Sequence, residues 1–205
     1  MTRTVEADGV EVVQPRTTRG TAHDEAVPQI EDDAALGAEL AAVVAGARRR
    51  AVRDGDRQID TAHLLHSLLE HDPEVRAAVG DPQRLARLLG YLVQRSIGYG
   101  LRWQGSVEDS GAIVVPAPAR SLARDTRDAP AWSPAAAAAM SGARERARHR
   151  GELRPAGTDL LAALAADPGA RAVEVLERAG ISALDLGARI DAGTEEYAGD
   201  GSASC

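Results

Sequence analysis

One stretch of this chain is written twice, and that duplication limits the folds available to it. Asp60-Thr61-Ala62-His63-Leu64-Leu65-His66-Ser67-Leu68-Leu69 reads as a short buried helix behind a polar cap. Gly157-Thr158-Asp159-Leu160-Leu161-Ala162-Ala163-Leu164 repeats it. The two Leu-Leu pairs stand 96 positions apart. Their flanks correspond as well. An Ala- and Arg-rich segment precedes each one, Leu36 to Asp54 and Pro134 to Arg150. An Asp-Pro pair and another helical pattern follow each one, at Asp72-Pro73 with Val75 and Val79 and at Asp167-Pro168 with Val173 and Leu176. A supersecondary unit repeated in register buries its apolar faces against its own copy, so it is read before any single residue.

The pattern between these landmarks is helical throughout. Leu36, Leu40, Val43, Val44, Ala47 and Ala51 recur at helical spacing. Asp60 or Thr61 caps the next helix. Asp72-Pro73 and Asp81-Pro82 each start a further one, with proline where the missing N–H costs nothing. Leu85, Leu88, Leu89, Leu92, Val93 and Ile97 form the stripe of a fourth. In the second copy, Ser133-Pro134 caps a long helix with an alanine run of high helix propensity. Further helices are predicted at Gly157 or Thr158, over Pro168 to Ala179, and after Ile181-Ser182, where Asp185 completes a capping box. The predicted fold is all-α, with two tandem four-helix repeats in one pseudo-symmetric domain. Repeat one spans 31–98, a linker 99–132 and repeat two 133–192. Residues 1–30 read as a disordered tail and 193–205 as a flexible one. The linker is punctuated by Gly and Pro, and is long for an ordered loop without a function.

Composition narrows the chemistry. Apolar residues make up 44% of the chain but aromatics only 2%, with no Phe, so the core is Leu, Val and Ala. That suits closely packed helices. The net charge is −7 and every basic side chain other than His is Arg. An acidic chain is poorly suited to nucleic acid, where phosphate neutralisation supplies most of the affinity. The lone Cys205 forms no internal disulfide. Neither a signal sequence nor a membrane span is visible, so the expected location is the cytoplasm. No cofactor, no catalytic constellation and no metal motif is predicted. His63, His66 and His71 lie near one another in sequence, but without acidic or Cys ligands in a known pattern.

The duplicated unit resembles the N-terminal domain of the Clp unfoldases, the AAA+ chaperones that feed Clp proteases. That family's second-helix motif, roughly Ile-Gly-Thr-Glu-His-Leu-Leu, is matched by Ile59-Asp60-Thr61-Ala62-His63-Leu64-Leu65. Its Thr-Pro before a long helix is matched by Ser133-Pro134. The resemblance covers about Leu36 to Ala192. There is no P-loop for nucleotide phosphates, and a chain without Lys cannot supply one. The resemblance therefore implies a non-catalytic N-domain without its motor. Its expected partners are Clp unfoldase and protease machinery, adaptors or peptide ligands, including cyclic peptide antibiotics held as by a decoy.

Site residues follow from the same resemblance. It places an aromatic at a groove between the two long helices, which here is Trp132, flanked by Val44 and Ser141. A partly exposed Trp is a common binding anchor. Trp103, in the linker, is expected to pack that segment down. Some family members bind phosphorylated arginine through a Glu in each repeat. Those positions are Ala62 and Thr158 here, so the carboxylates that pair with a guanidinium are missing. Asp60 and Asp159 are the nearest acids that could substitute. The alternative function is a regulatory protein that binds a macromolecule such as nucleic acid through Arg-rich helices, chiefly Arg144 to Arg150. The competing view of that run is a solvated face with Glu–Arg pairing.

Overall fold

The computed structural model describes residues 36–96, 108 and 130–200, with the side chains of 194–200 excepted. All of these belong to a single unit, Asp32–Cys205. Eight helices follow one another among the described residues. They are α1 (Ala38–Asp54), α2 (Thr61–His71), α3 (Pro73–Val79), α4 (Pro82–Ser96), α5 (Pro134–His149), α6 (Gly157–Ala165), α7 (Arg171–Arg178) and α8 (Ala183–Asp200). The all-α expectation holds, with one addition. β1 (Gln58–Ile59) and β2 (Ala131–Trp132) pair in parallel, Ile59 opposite Trp132. The short bridge ties the start of α2 to the start of α5, and Ser133 N–H extends it by donating to Ile59 O at 2.9 Å.

The caps explain the boundaries. Asp60 accepts from His63 N–H at 2.9 Å, Asp72 from Glu74 and Val75, and Ser133 from Ala136 at 3.1 Å. Each satisfies a donor that the first helical turn leaves orphaned. Ser182 likewise accepts from Asp185 N–H. Gly55 and Gly151 end the two long helices in the left-handed region, with φ of 73° and 77°, where only glycine is unstrained. Two expectations shift. α7 begins at Arg171 rather than Pro168, because Asp167 and Ala170 form a turn in which Asp167 accepts from Gly169 N–H. α8 runs on through Asp200, past the Gly193 where a tail was expected.

Packing follows the duplication. α1 lies on α2 and α5 on α6, and α2 and α6 reach across to the other repeat, with α3 on α6 and α2 on α7. Leu64, Leu65, Leu68, Leu160, Leu161 and Leu164 are fully buried at the centre. Fully burying one such side chain stabilises by about 1.5–3 kcal/mol. On α4 only Leu88 and Leu92 are buried, and Val93 faces solvent. No described helix is long and apolar enough to cross a membrane. The expected tail over 1–30, most of the linker, Trp103 and Ile97 lie outside the described residues.

Candidate functional site

The alanine run of α5 lets two helices approach closely. Gly142 faces Ala163 on α6, and a Cβ at Gly142 would sit 3.3 Å from the Ala163 methyl. Small side chains on both helices leave a groove of about 420 Å³. Ala138, Ala139, Gly142 and Ala163 pave it, with Glu145, Arg146 and Asp167 at its polar edge. The groove is apolar at its floor with a few charges around it, the usual composition of a ligand cleft.

The same helix pair in repeat one is filled. Ninety-six positions before Ala162, Ala163, Ala166 and Asp167 stand His66, Ser67, Glu70 and His71. His66 is 5% exposed, and Glu70 is ion-paired to Arg50. Ser67 Oγ donates to Val43 O at 2.7 Å. His71 lies against Gly46, whose added Cβ would meet the His71 ring at 3.2 Å. Burial, with Arg50 beside it, lowers the His66 pKa to about 4, so its imidazole is neutral at physiological pH. Repeat two carries alanine at three of these four positions. The groove is the space those side chains vacate.

Charge is also distributed differently in the two copies. In repeat one a buried network surrounds Asp60. Its carboxylate is bound by Arg95 of α4 and by Arg171 Nη1 of α7 at 2.7 Å. Asp60 N–H donates to His63 Nδ1 at 3.1 Å, which leaves Nε2 directed at Asp56 (3.3 Å) and Asp54 (3.7 Å). Burial alone would raise the Asp60 pKa. The bonds and charges of His63 and Arg95 outweigh it and hold the carboxyl well below the usual range. Burial would lower the pKa of His63, but Asp56 and Asp60 raise it. In repeat two, Arg150 occupies the place of Asp54 and Asp159 that of His63. Arg150 and Asp159 form a two-pronged pair, Nη2 to Oδ2 at 2.6 Å, and Asp159 also accepts from Ala156 N–H at 2.9 Å. One interhelical ion pair is thus built twice with its polarity reversed.

Asp56, Asp60 and His63 offer ligand atoms within 4.8 Å of one another. Arg95 binds both Asp56 and Asp60 from within this set, and Arg171 binds Asp60. Two guanidinium cations already balance the carboxylates where a divalent ion would sit, so the chemistry is that of an ion-pair network. Sequence spacing offered three histidines for a metal. The structure instead brings acids to His63, while mid-helix His66 lies by Glu70, and His71, at the end of α2, lies by Ser67 O.

The two repeats meet at Glu108, 3% exposed. Its carboxylate accepts from Thr61 N–H (2.8 Å), Arg171 N–H (2.7 Å), Ser133 Oγ (2.8 Å) and Thr61 Oγ1. Thr61 and Arg171 are the first residues of α2 and α7, and Ser133 caps α5. No sequence signal marks this residue. It lies in a Gly- and Pro-punctuated connection, and its partners come from three separate helices.

The expected site residues do not converge. Val44 is buried in α1 at 1% exposure and lines no surface, because its helix face packs on α2. Trp132 is half-buried in β2 beside Ile59, and Ser141 is exposed on α5. None of the three lines the α5–α6 groove. Ala62 is wholly buried and Thr158 half-buried. Asp60 and Asp159, the acids nearest those positions, are already bound by the chain's own arginines. The sequence did hold a signal for the groove, in the replacement of His66, Ser67 and Glu70 by alanines.

The N-terminal domain of the caseinolytic-protease-associated chaperone ClpD from Arabidopsis thaliana is similar in structure, with a TM-score of 0.52 and 19% identity. The match covers 79% of this chain and 96% of that domain. The fold is that of a Clp N-domain. No protein-family model matches the sequence, and no curated protein does. The Clp N-domain fold accounts for the duplicated helix pair and the Leu-Leu motif.

Proposed function

We propose that this chain is a non-catalytic binding protein that seats a peptide segment in the α5–α6 groove. The groove carries the reading. It exists because repeat two has alanines where repeat one has His66, Ser67 and Glu70. A floor of methyl groups admits an extended or helical segment at short range, and Glu145, Arg146 and Asp167 give it polar contacts. Its partners would be the Clp unfoldase machinery, its adaptors or hydrophobic peptides directed at it. With no nucleotide-binding loop in the chain, binding such peptides would withdraw them from the motor by mass action, as a cytoplasmic decoy does. Phosphoarginine is not expected to bind at Ala62 or Thr158, because Asp60 and Asp159 are each neutralised internally.

The Arg-rich helices are read as structural. Arg50 holds Glu70, Arg146 holds Asp191 and Arg150 holds Asp159. These three arginines are committed to acids of the chain, and a net charge of −7 further disfavours nucleic acid.

The test is titration of a cyclic hydrophobic peptide of the kind that engages Clp N-domains, followed by calorimetry. Ala138 is an exposed residue of the groove, so Ala138→Trp would block it without disturbing the core. Saturable binding by the parent chain, weakened at least about tenfold in Ala138→Trp, is expected. Equal binding by both places the ligand elsewhere and ends the groove assignment. A decoy further predicts that the parent chain slows substrate loss in a Clp degradation assay, whereas an adaptor accelerates it.

A further inference from the structure

We infer that the junction between the repeats is a small-oxyanion site that the chain fills with its own Glu108 carboxylate. Four donors converge there from three helices, and all of them come from structure that stands apart from residue 108 in sequence. Thr61 N–H and Arg171 N–H are first-turn donors with no partner inside their own helices. Ser133 Oγ and Thr61 Oγ1 belong to fully buried residues and point at the same carboxylate. Both hydroxyls are fixed by what they accept. Ser133 Oγ takes Ala136 N–H at 3.1 Å, and Thr61 Oγ1 takes Ala172 N–H at 3.0 Å. Each O–H is therefore free to be donated only toward Glu108.

The helices supply partial positive charge at the same point, where backbone N–H groups and dipoles favour an anion. Such a cradle recognises two oxygens on one centre, whichever molecule carries them. A carboxylate or a phosphate monoester satisfies it equally well. Glu108 is the occupant because it is tethered. A group held on the same chain competes at an effective concentration of about millimolar, so a free oxyanion displaces it only when abundant or doubly charged. The junction between the two repeats is thereby tied to whether Glu108 is seated.

Chemical rescue tests this on the full chain. Glu108→Ala empties the cradle, whereas Glu108→Gln keeps it filled without charge. Thermal unfolding is followed by circular dichroism in chloride, and then in acetate and in phosphate at matched ionic strength. Glu108→Ala is expected to melt about 5 °C or more below the parent chain, given the several donors left unpaired. Acetate or phosphate should restore much of that loss, saturably, and should leave the parent and Glu108→Gln almost unmoved. If Glu108→Ala does not fold in chloride, the readout is helicity regained on adding acetate. Three results overturn the assignment. They are a Glu108→Ala melt equal to the parent's, no gain in either anion, and an equal gain in all three proteins. Peptide binding in the groove is read separately through Ala138→Trp, so either idea can fail alone.

Discussion

Repeat one and repeat two place the same helix pair in the same register and use it for opposite ends. Repeat one fills the space between α1 and α2 with His66, Ser67, Glu70 and His71, and its charges are buried around Asp60. Repeat two puts alanine at three of those positions, and its charges lie nearer solvent. The Arg146 and Arg150 side chains are 29% and 23% exposed, against 8% and 10% for Arg95 and Arg171. A duplicated fold needs only one copy to carry its rigidity. The other copy can give up side-chain volume, and the volume given up is a cleft.

The largest difference between the copies is expected at the two interhelical acids. Asp60→Ala removes the cap of α2 and takes a carboxylate from both Arg95 and Arg171. Removing one partner from a buried charge network typically costs about 3–5 kcal/mol. Asp159→Ala removes the partner of arginines that can hydrate, together with the acceptor for Ala156 N–H, at a cost of about 1–2 kcal/mol. Urea unfolding of the two variants measures both. Equal losses would mean that the network around Asp60 is as open to water as its counterpart.

The glycines of the long helices come next. A Cβ at Gly46 would overlap Ser67 Oγ, which is held by its bond to Val43 O. Overpacking of this kind costs about 1–3 kcal/mol. A Cβ at Gly142 meets only the Ala163 methyl, and the helix propensity of Ala over Gly returns about 1 kcal/mol. Gly142→Ala should therefore be close to neutral. Gly46→Ala combined with Ser67→Ala removes the clashing hydroxyl, leaving a methyl there as Ala163 does opposite Gly142, and should recover most of the loss. If the double variant is no better than the single, the clash lies with His71.

How much of this was legible follows from the same pairs of residues. The helix order could be read because Leu64-Leu65 and Leu160-Leu161 repeat, and because Asp60, Asp72, Ser133 and Ser182 are local signals that act within three residues of themselves. The α5–α6 groove could have been read by aligning His66 with Ala162 and Glu70 with Ala166. It depends only on side-chain volume at known positions. Val44 was placed at the groove by the resemblance alone, whereas its helical spacing put it on the inward face of α1, where α2 covers it. Glu108 and the β1–β2 bridge could not be read at all. Their partners are separated from them by 25 to 73 positions, and no local pattern encodes such pairings.

The pH dependence of stability should also reside in repeat one. The pKa of His66 is lowered on folding, to about 4. Between its unfolded value near 6.5 and its folded value the unfolded chain binds the extra proton, so stability falls as pH drops through that window. His63 acts in the opposite sense. Its pKa is raised, so its contribution is full below its unfolded value and is lost as pH rises through the folded one. His66→Gln should flatten the acid-side fall by about 2 kcal/mol between about pH 7 and pH 5. His63→Gln should steepen it. Repeat two has no histidine at these two places, which hold Asp159 and Ala162. Unfolding curves across that range would show whether the two histidines oppose one another in this way.

The smallest effect on stability is expected where the functional reading is most exposed. Ala166 is an exposed residue at the end of α6, and its counterpart in repeat one is Glu70. Ala166→Glu places a carboxylate opposite Arg146, as Glu70 stands opposite Arg50. A solvated pair of that kind changes stability by less than about 0.5 kcal/mol. It nevertheless restores side-chain bulk and charge to the groove. Peptide affinity should fall while the melting temperature hardly moves. A variant that melts as the parent does and still binds as well would show that the groove is a packing defect between two alanine faces. The binding surface would then have to be sought on a different face, such as the one Trp132 borders.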